Sequence, residues 1–314
     1  MIPSTIKEKV AGKCSNCKNA AIIEMKYVGK RFCKNCFMAF FEKRVRATLG
    51  KSKYLDDAKT IAVALSGGKD SITALHLLKN TAKRTNIITI TIDGGIKGYD
   101  DLLQKNAKAV CKSLGVKHYV YSFKKEFGYT LDDLAKTRPG MCNCGIFRRY
   151  LLNKKARELK ADKLATGHNL DDEVESILMN YIRGDVEKIS RGEGILKHKK
   201  FVPRIKPLKR CPENEVALYA RLLYPKMKFG LTCKYRKAVL RYNIKKLIDE
   251  LETLHPGTKF QIFEGNERIR SALQKSSKSV GEPNLCRKCG EICANDVCQT
   301  CKFTVKIREA MKKK

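Results

Sequence analysis

Long apolar runs and acidic side chains are both scarce in this sequence. Apolar residues make up 43% of the 314, yet no run approaches the roughly 20 consecutive apolar residues that cross a bilayer. Residues 1–7 also lack the apolar core of a signal peptide. Both absences argue against a membrane-spanning or secreted protein, and we predict a cytoplasmic one.

The shortage of acidic residues leaves the chain strongly basic. Asp and Glu number 32 against 66 Lys and Arg, which gives a formal charge of +34 at pH 7. A generally lysine-rich proteome explains only part of such an excess. The charge therefore favours a polyanionic partner, and nucleic acid is the obvious class.

Cysteine, in contrast, is abundant, with 14 in the chain. A disulfide framework is not expected in a cytosolic protein. Eight of the cysteines form C-x-x-C pairs with the spacing of four-thiolate zinc sites, which leave no coordination position open for catalysis. We predict two structural zinc ribbons, in residues 1–48 and 281–314, that flank a domain in residues 49–280. Their ligands are Cys14, Cys17, Cys33 and Cys36 in the first, and Cys286, Cys289, Cys298 and Cys301 in the second.

The most informative stretch covers residues 61–71. Residues 61–65 are all apolar, which is typical of a buried strand in a parallel sheet. A turn with two glycines follows, and Ser71 is predicted to open a helix. A strand, a glycine turn and a helix N-terminus aim N–H donors and a positive dipole end at one point, which suits the phosphates of a nucleotide. The spacing is neither that of a Walker A motif nor G-x-G-x-x-G.

Strands and helices alternate through the central domain, which predicts an α/β fold with a doubly wound parallel sheet. Ligands of such sheets bind beyond the carboxyl ends of the strands, where residues 66–71, 93–95 and 167–172 would meet. The other predicted segments are strands at 86–92, 118–123 and 161–165, helices at 37–49, 173–183, 213–223 and 236–254, a mobile loop at 184–200, an extended segment at 201–208 and a linker at 271–284.

Three further cysteines lie in basic surroundings. Cys142 and Cys144 precede Arg148 and Arg149, and Cys233 is followed by Lys234. Nearby cations lower a thiol pKa and favour the thiolate. Three converging thiolates could hold a 4Fe–4S cluster with one iron open, or a thiol pair could pass sulfur through a persulfide. Ordinary buried cysteine is the third possibility, and the spacing alone leaves all three open.

The segment S-G-G-K-D-S after an apolar strand resembles the PP-loop of ATP-pyrophosphatases. The rest of the chain extends this likeness through D-G-G at 93–95, C-G-x-x-R-R from Cys144, T-G-H-N-L-D-D at 166–172, R-I-K-P-L at 204–208, Cys233 and both ribbons. In that order the motifs resemble the archaeal and eukaryotic-type tRNA 2-thiouridine synthetases. The resemblance implies adenylation of the C2 oxygen of a tRNA uridine, its replacement by sulfur, a 4Fe–4S cluster on three cysteines, and a homodimer.

One departure from the family pattern concerns the cluster. The family usually has C-x-x-C-G before the arginine pair, and Met141 stands where the first cysteine is expected. Either Cys142 reaches the cluster through a shifted turn, or Cys211 substitutes, or the site is altered. We predict Cys142, Cys144 and Cys233 as the iron ligands.

The resemblance also implies roles for individual residues. Lys69 would offset charge on the departing pyrophosphate, and Asp70, Asp171 and Asp172 are candidates for Mg²⁺, although the last two could instead cap a helix. Arg148 and Arg149 would bind the phosphate of the adenylated uridine or orient their helix. Expected ATP contacts are Leu65, Ser66, Gly67, Gly68, Lys69, Asp70, Ser71, Asp93, Gly94, Gly95, Gly167, His168, Asp171 and Asp172, and expected catalytic residues are Lys69, Asp70, Arg148, Asp172, Cys142 and Cys233.

Several alternatives stay open at this point. Thiolation could fall on the T-loop uridine rather than the wobble uridine, which we favour, or on a cytidine by persulfide chemistry. Lysidine synthesis needs no cysteine cluster. A non-catalytic zinc-ribbon protein that binds RNA is the competing class, and intact Lys69, Asp70 and Asp172 argue against it. The sulfur donor could be sulfide or a thiocarboxylated ubiquitin-like protein.

Overall fold

A parallel sheet of five strands lies at the centre of the computed structural model, which describes residues 11–137, 144–190, 198–235, 239–276 and 283–312. The strands are β1 (Ile23–Met25), β2 (Lys30–Phe32), β3 (Thr60–Ala64), β4 (Asn86–Asp93), β5 (Lys117–Ser122), β6 (Lys163–Ala165), β7 (Arg204–Ile205), β8 (Asn284–Leu285) and β9 (Ile292–Cys293). The helices are α1 (Lys34–Lys51), α2 (Lys69–Thr81), α3 (Tyr99–Leu114), α4 (Phe123–Phe127), α5 (Leu131–Thr137), α6 (Cys144–Glu158), α7 (Leu170–Ile182), α8 (Val186–Ser190), α9 (Glu213–Leu223), α10 (Val239–Leu254), α11 (Thr258–Ser276) and α12 (Gln299–Lys312).

The strand order in the sheet is β5-β4-β3-β6-β7, and every neighbouring pair is parallel. Successive residues of β3 face opposite sides, so Ile61 and Val63 belong to one apolar cluster and Ala62 to the other. Burial on both faces explains the uninterrupted apolar run of this strand. The predicted doubly wound sheet is confirmed, and the chain changes direction across it between β3 and β6, where such folds bind ligands.

The N-terminal module consists of the β1–β2 hairpin and α1. Its apolar face is part of the main core, because Phe37, Phe41, Val45 and Leu49 of α1 are at most 1% exposed and belong to the same cluster as Ile61. This spacing of four residues is that of one helix face. The module is therefore packed on the central domain rather than tethered to it.

A buried ion pair fastens the N-terminal module to α9. Arg44 donates to Glu215 (Nη1 to Oε2, 2.6 Å), and the two side chains are 13% and 2% exposed. The Tyr27 hydroxyl donates to the other Glu215 oxygen at 2.5 Å and accepts from Arg44. Each polar group of this triad thus has a partner, which a buried charge requires.

The C-terminal module docks on α6. Arg157 of that helix forms a two-pronged ion pair with Glu291, and Lys200 donates to the Gly290 carbonyl at 2.7 Å. Ile307 of α12 is buried in the same apolar cluster as Phe147 of α6. The helix that begins at Cys144 is therefore supported by the second four-cysteine module.

The described residues depart from the predicted segments in a few places. The expected mobile loop at 184–200 contains α8, whose backbone at Lys188 donates to the Asp185 carboxylate at 3.1 Å, and residues 191–197 lie outside the description. Helix α11 extends to Ser276, into the expected linker. Helix α2 begins at Lys69, two residues before the expected start, because Gly68 is its N-cap. None of the helices in the described part of the chain is both long enough and apolar enough to cross a membrane.

The Arg44–Glu215 pair gives a stability prediction. Replacement of Glu215 by Ala leaves the Arg44 guanidinium buried without its carboxylate, so we expect the free energy of unfolding to fall by about 3–5 kcal/mol. Urea unfolding followed by circular dichroism measures this. The matched control is Glu24→Ala, which breaks an exposed pair with Arg31 and should cost less than about 1 kcal/mol. Equal effects of the two substitutions would contradict the prediction.

Candidate active site

The turn between β3 and α2 is pressed against another helix. Gly67 has φ +84°, and a Cβ atom there would lie 1.9 Å from the Leu103 carbonyl oxygen of α3. Only glycine fits a left-handed backbone with so little room. The turn therefore has one position relative to α3, and the first N–H groups of α2, which have no acceptor within the helix, point out of it.

Two serines hold the turn closed. The Ser66 and Ser71 hydroxyls are 3.0 Å apart, and the Ser71 hydroxyl lies 3.1 Å from the Gly68 carbonyl, to which it donates. The Gly68 N–H donates to the Ser66 hydroxyl at 3.3 Å. These bonds fix the backbone of the turn through the protein's own groups, as a preorganised phosphate site requires.

The segment after β6 lies directly on this turn. A Cβ atom on Gly167 would be 2.7 Å from the Ser71 nitrogen, so the two backbones touch. Asn169, the N-cap of α7, donates to Asp70 (Nδ2 to Oδ1, 3.0 Å). The His168 ring lies 2.8 Å from the Thr166 hydroxyl, and burial lowers its pKa. Two of the three polar segments predicted to converge are thus in contact.

Lys69 at the start of α2 is held by two carboxylates. Its ammonium nitrogen lies 2.9 Å from Asp70 Oδ2 and 2.9 Å from Glu213 Oε1. Lys245 contacts the other oxygen of Glu213 at 2.8 Å. Burial by itself raises the pKa of Glu213, but the two ammonium groups outweigh it and hold the pKa at about 2. The sequence did not predict a place for Glu213 in the site, because no motif surrounds this residue.

The two aspartates of α7 have different surroundings. Asp171 is buried and accepts from Lys259 at 2.6 Å and from the Glu213 backbone at 2.7 Å, so both of its oxygens join helices. Asp172 closes the first turn of α7 with Asn169. Its Oδ1 also accepts from Arg241 at 3.1 Å. These contacts match the alternative in which both residues cap or brace a helix.

Burial raises the pKa of Asp172, and the charge of Asp70 adds to that effect. Asn169 links the two carboxylates, because its side-chain amide donates to Asp70 at 3.0 Å and its backbone nitrogen donates to Asp172 at 3.3 Å. Carboxylate oxygens are ligands that Mg²⁺ prefers, and Asp70 and Asp172 present two carboxylates around one asparagine.

The third polar segment, after β4, forms a tight turn beneath α5 and α6. Asp93 accepts from the Gly95 nitrogen at 2.8 Å, and a Cβ atom on Gly94 would meet Leu131 at 2.6 Å and Arg148 at 2.8 Å. Gly95 has φ +72° and is equally crowded by Thr130. The glycines let two helices approach the carboxyl end of the strand.

A cavity of about 240 Å³ lies between the turn after β3, the carboxyl end of β4, and helices α3 and α6. The residues that line it include Ser66 of the turn, Asp93, Arg148, Cys144 and Cys233. Cys142 lies outside the described residues. The cavity lining in the described part of the chain does not include Cys211, which is fully buried in the opposite apolar cluster, and burial raises its pKa to about 12.

Arg148 is fixed at the wall of this cavity. Its Nη1 donates to the Ile92 carbonyl at 2.6 Å, and its Nη2 lies 3.6 Å from Asp100 Oδ1. The guanidinium also stacks over the Phe123 ring at 5.8 Å. Arg149, the next residue, is exposed. The first arginine of the pair thus offers a positioned cation to an anion in the cavity, and the second does not line it.

The predicted metal ligands in the two terminal modules come together. In each set of four cysteines the sulfur atoms all lie within 4.8 Å of one another, as four-coordinate metal sites require. Burial raises the pKa of Cys14 and Cys286, but bonds from backbone N–H groups outweigh it and lower both to about 6. Cys293 belongs to neither set and contacts the Asn295 carbonyl.

Comparison with known proteins identifies the family. The PP-loop domain family matches residues 38–244, and the family described as 2-thiouridine synthetase TtuA, N-terminal LIM domain, matches residues 13–38. The chain is 34% identical to the tRNA 2-thiolation protein NcsA of Haloferax volcanii, over 93% of this chain and 98% of that protein. It is 33% identical to the tRNA-5-methyluridine(54) 2-sulfurtransferase of Pyrococcus horikoshii, over 93% of each.

A solved structure has the same architecture. The U34-tRNA thiolase NcsA from Methanococcus maripaludis, described with its 4Fe–4S cluster, superposes with a TM-score of 0.79 at 36% identity. The match covers 95% of this chain and 97% of that one. The parallel sheet, the PP-loop and the two four-cysteine clusters predicted from the sequence are confirmed, and the chain belongs to the PP-loop family of tRNA 2-thiolation enzymes.

Proposed function

We propose that this enzyme uses ATP to adenylate the C2 oxygen of the wobble uridine of a tRNA and then replaces that oxygen with sulfur. One observation carries the proposal: Ser66 of the PP-loop, Arg148, Cys144 and Cys233 line a single cavity. Adenylation of the uridine needs the PP-loop, and sulfur transfer needs cysteine thiols within reach of the activated carbon. The relatives named for tRNA thiolation support the substrate class.

In the adenylation step, the uridine O2 attacks the α-phosphorus of ATP and pyrophosphate leaves. The N–H groups at the start of α2 would hold the phosphates, and Lys69 would offset the charge that develops on pyrophosphate. The turn at residues 93–95 would line the adenine and ribose pocket. Asp70 and Asp172 would hold Mg²⁺, which binds one or two carboxylates together with phosphate oxygens.

In the second step, sulfur forms a bond to C2, the bond from C2 to oxygen breaks, and AMP leaves with that oxygen. Arg148, fixed by Ile92 and Asp100, would bind the AMP phosphate and stabilise its charge as the bond breaks. The donor of the sulfur is sulfide or a thiocarboxylated ubiquitin-like protein.

Cys144 and Cys233, together with Cys142, would hold a 4Fe–4S cluster. Two of these thiols line one cavity beside a guanidinium, a donor set that suits iron and favours thiolate. Such a cluster on three thiolates supplies an iron with an open position for sulfide. The terminal clusters, with four thiolates each, would hold structural zinc. A homodimer in the cytoplasm stays a prediction.

Iron content tests the cluster assignment. We expect about four irons per chain in protein purified without oxygen, with matching acid-labile sulfide and absorbance near 400 nm. Separate Ala substitutions of Cys142, Cys144 and Cys233 should each abolish them. Cys211→Ala is the matched control and should retain the iron, because Cys211 is buried in the other apolar cluster. Zinc without iron in the wild type would overturn the cluster and leave persulfide chemistry.

The modified position is tested with defined transcripts. The relative named for position 54 makes the T-loop uridine the second candidate. We expect ATP-dependent thiolation, with pyrophosphate release, of a tRNA that carries cytidine at 54, and none of a tRNA that carries cytidine at 34. Mass spectrometry of the digested nucleosides measures both. The reverse pattern would assign the enzyme to position 54, and no pyrophosphate with either tRNA would favour a non-catalytic RNA-binding protein.

A further inference from the structure

The Lys69 ammonium is already engaged in the structure. It contacts Asp70 and Glu213 at 2.9 Å each, and its side chain is 21% exposed. An ammonium bound to two carboxylates cannot at the same time give its full charge to a phosphate. If Lys69 serves the reaction as proposed above, ATP has to compete with these carboxylates for it.

The backbone of Glu213 is held in place by its neighbours. The Glu213 backbone nitrogen donates to Asp171 at 2.7 Å, and Asp171 is held by Lys259 at 2.6 Å. Lys259 also contacts Asp249 of α10 at 2.7 Å. The backbone of Glu213 is therefore anchored by α7, α10 and α11, and its carboxylate is held by Lys245 as well as by Lys69.

Each partner of Lys69 has a second cation available. Lys245 already contacts Glu213 Oε2 at 2.8 Å and remains there if Lys69 leaves. Asp70 lies where Mg²⁺ would arrive with the nucleotide. After Lys69 is released, both carboxylates therefore still have a cation, which lowers the free-energy cost of the exchange.

We propose that Glu213 is a positioning residue that holds Lys69 off the phosphate site until ATP displaces it, and that Lys245 makes this release possible. The proposal rests on the ATP-binding role of the PP-loop. Glu213 acts through Lys69 and does not itself contact the nucleotide.

A double-mutant cycle on the affinity for MgATP, measured by titration calorimetry without tRNA, tests the proposal. Glu213→Gln should tighten binding about fivefold, because contacting groups show coupling of this order and ATP no longer competes with a carboxylate. In the Lys69→Met background the same substitution should change the affinity less than about twofold. An equal change in both backgrounds would mean that Glu213 only repels phosphate through space, and would overturn the proposal.

Two further variants test the role of Lys245 and the specificity of the Glu213 effect. Lys245→Met should weaken MgATP binding, since Glu213 then has Lys69 as its principal cation and holds it more firmly. Glu173→Gln is the matched control, because Glu173 pairs with Lys206 instead, and the affinity should stay unchanged. Weaker binding in Glu213→Gln with an unaltered melting temperature would overturn the proposal. A wild type that binds no MgATP would overturn the proposed function as well, so the two failures are distinguishable.

Discussion

Contact between bare backbones is the constraint on which the site depends. Gly67 rests on the Leu103 carbonyl, and Gly167 rests on the first turn of α2 at Ser71. Neither position has room for one more carbon atom. The PP-loop is therefore fixed between α3 on one side and the segment after β6 on the other. These backbone contacts determine where the surrounding side chains lie.

The sequence predicted the features whose signals are local. The apolar run of β3, the glycine turn and the spacing of the C-x-x-C pairs each lie within a few residues, and the sheet, the loop and both four-cysteine clusters followed from them. Interactions between distant residues were not predictable. Lys69 and Glu213 are 144 positions apart, and their contact depends on how α9 packs against α2.

The position of each cysteine in the core distinguishes the candidate cluster ligands, which their spacing in the sequence does not. Cys211 and Cys233 are both possible cluster ligands in the sequence, yet they lie in opposite apolar clusters, and of the two Cys233 alone lines the cavity with Cys144. The difference arises because the chain passes from one cluster to the other between Phe229 and Cys233. A distance along the chain carries no information about which face a loop reaches.

The first turn of α9 contacts both the PP-loop and the N-terminal module. Glu213 contacts Lys69 of the PP-loop, and Glu215, two residues later, contacts Tyr27 and Arg44 of the N-terminal module. The N-terminal module consequently cannot be exchanged independently of α9. A chimera that exchanged it for the module of a relative would have to carry a compatible α9 turn with it, and substitutions in the two segments are expected to accumulate together during evolution.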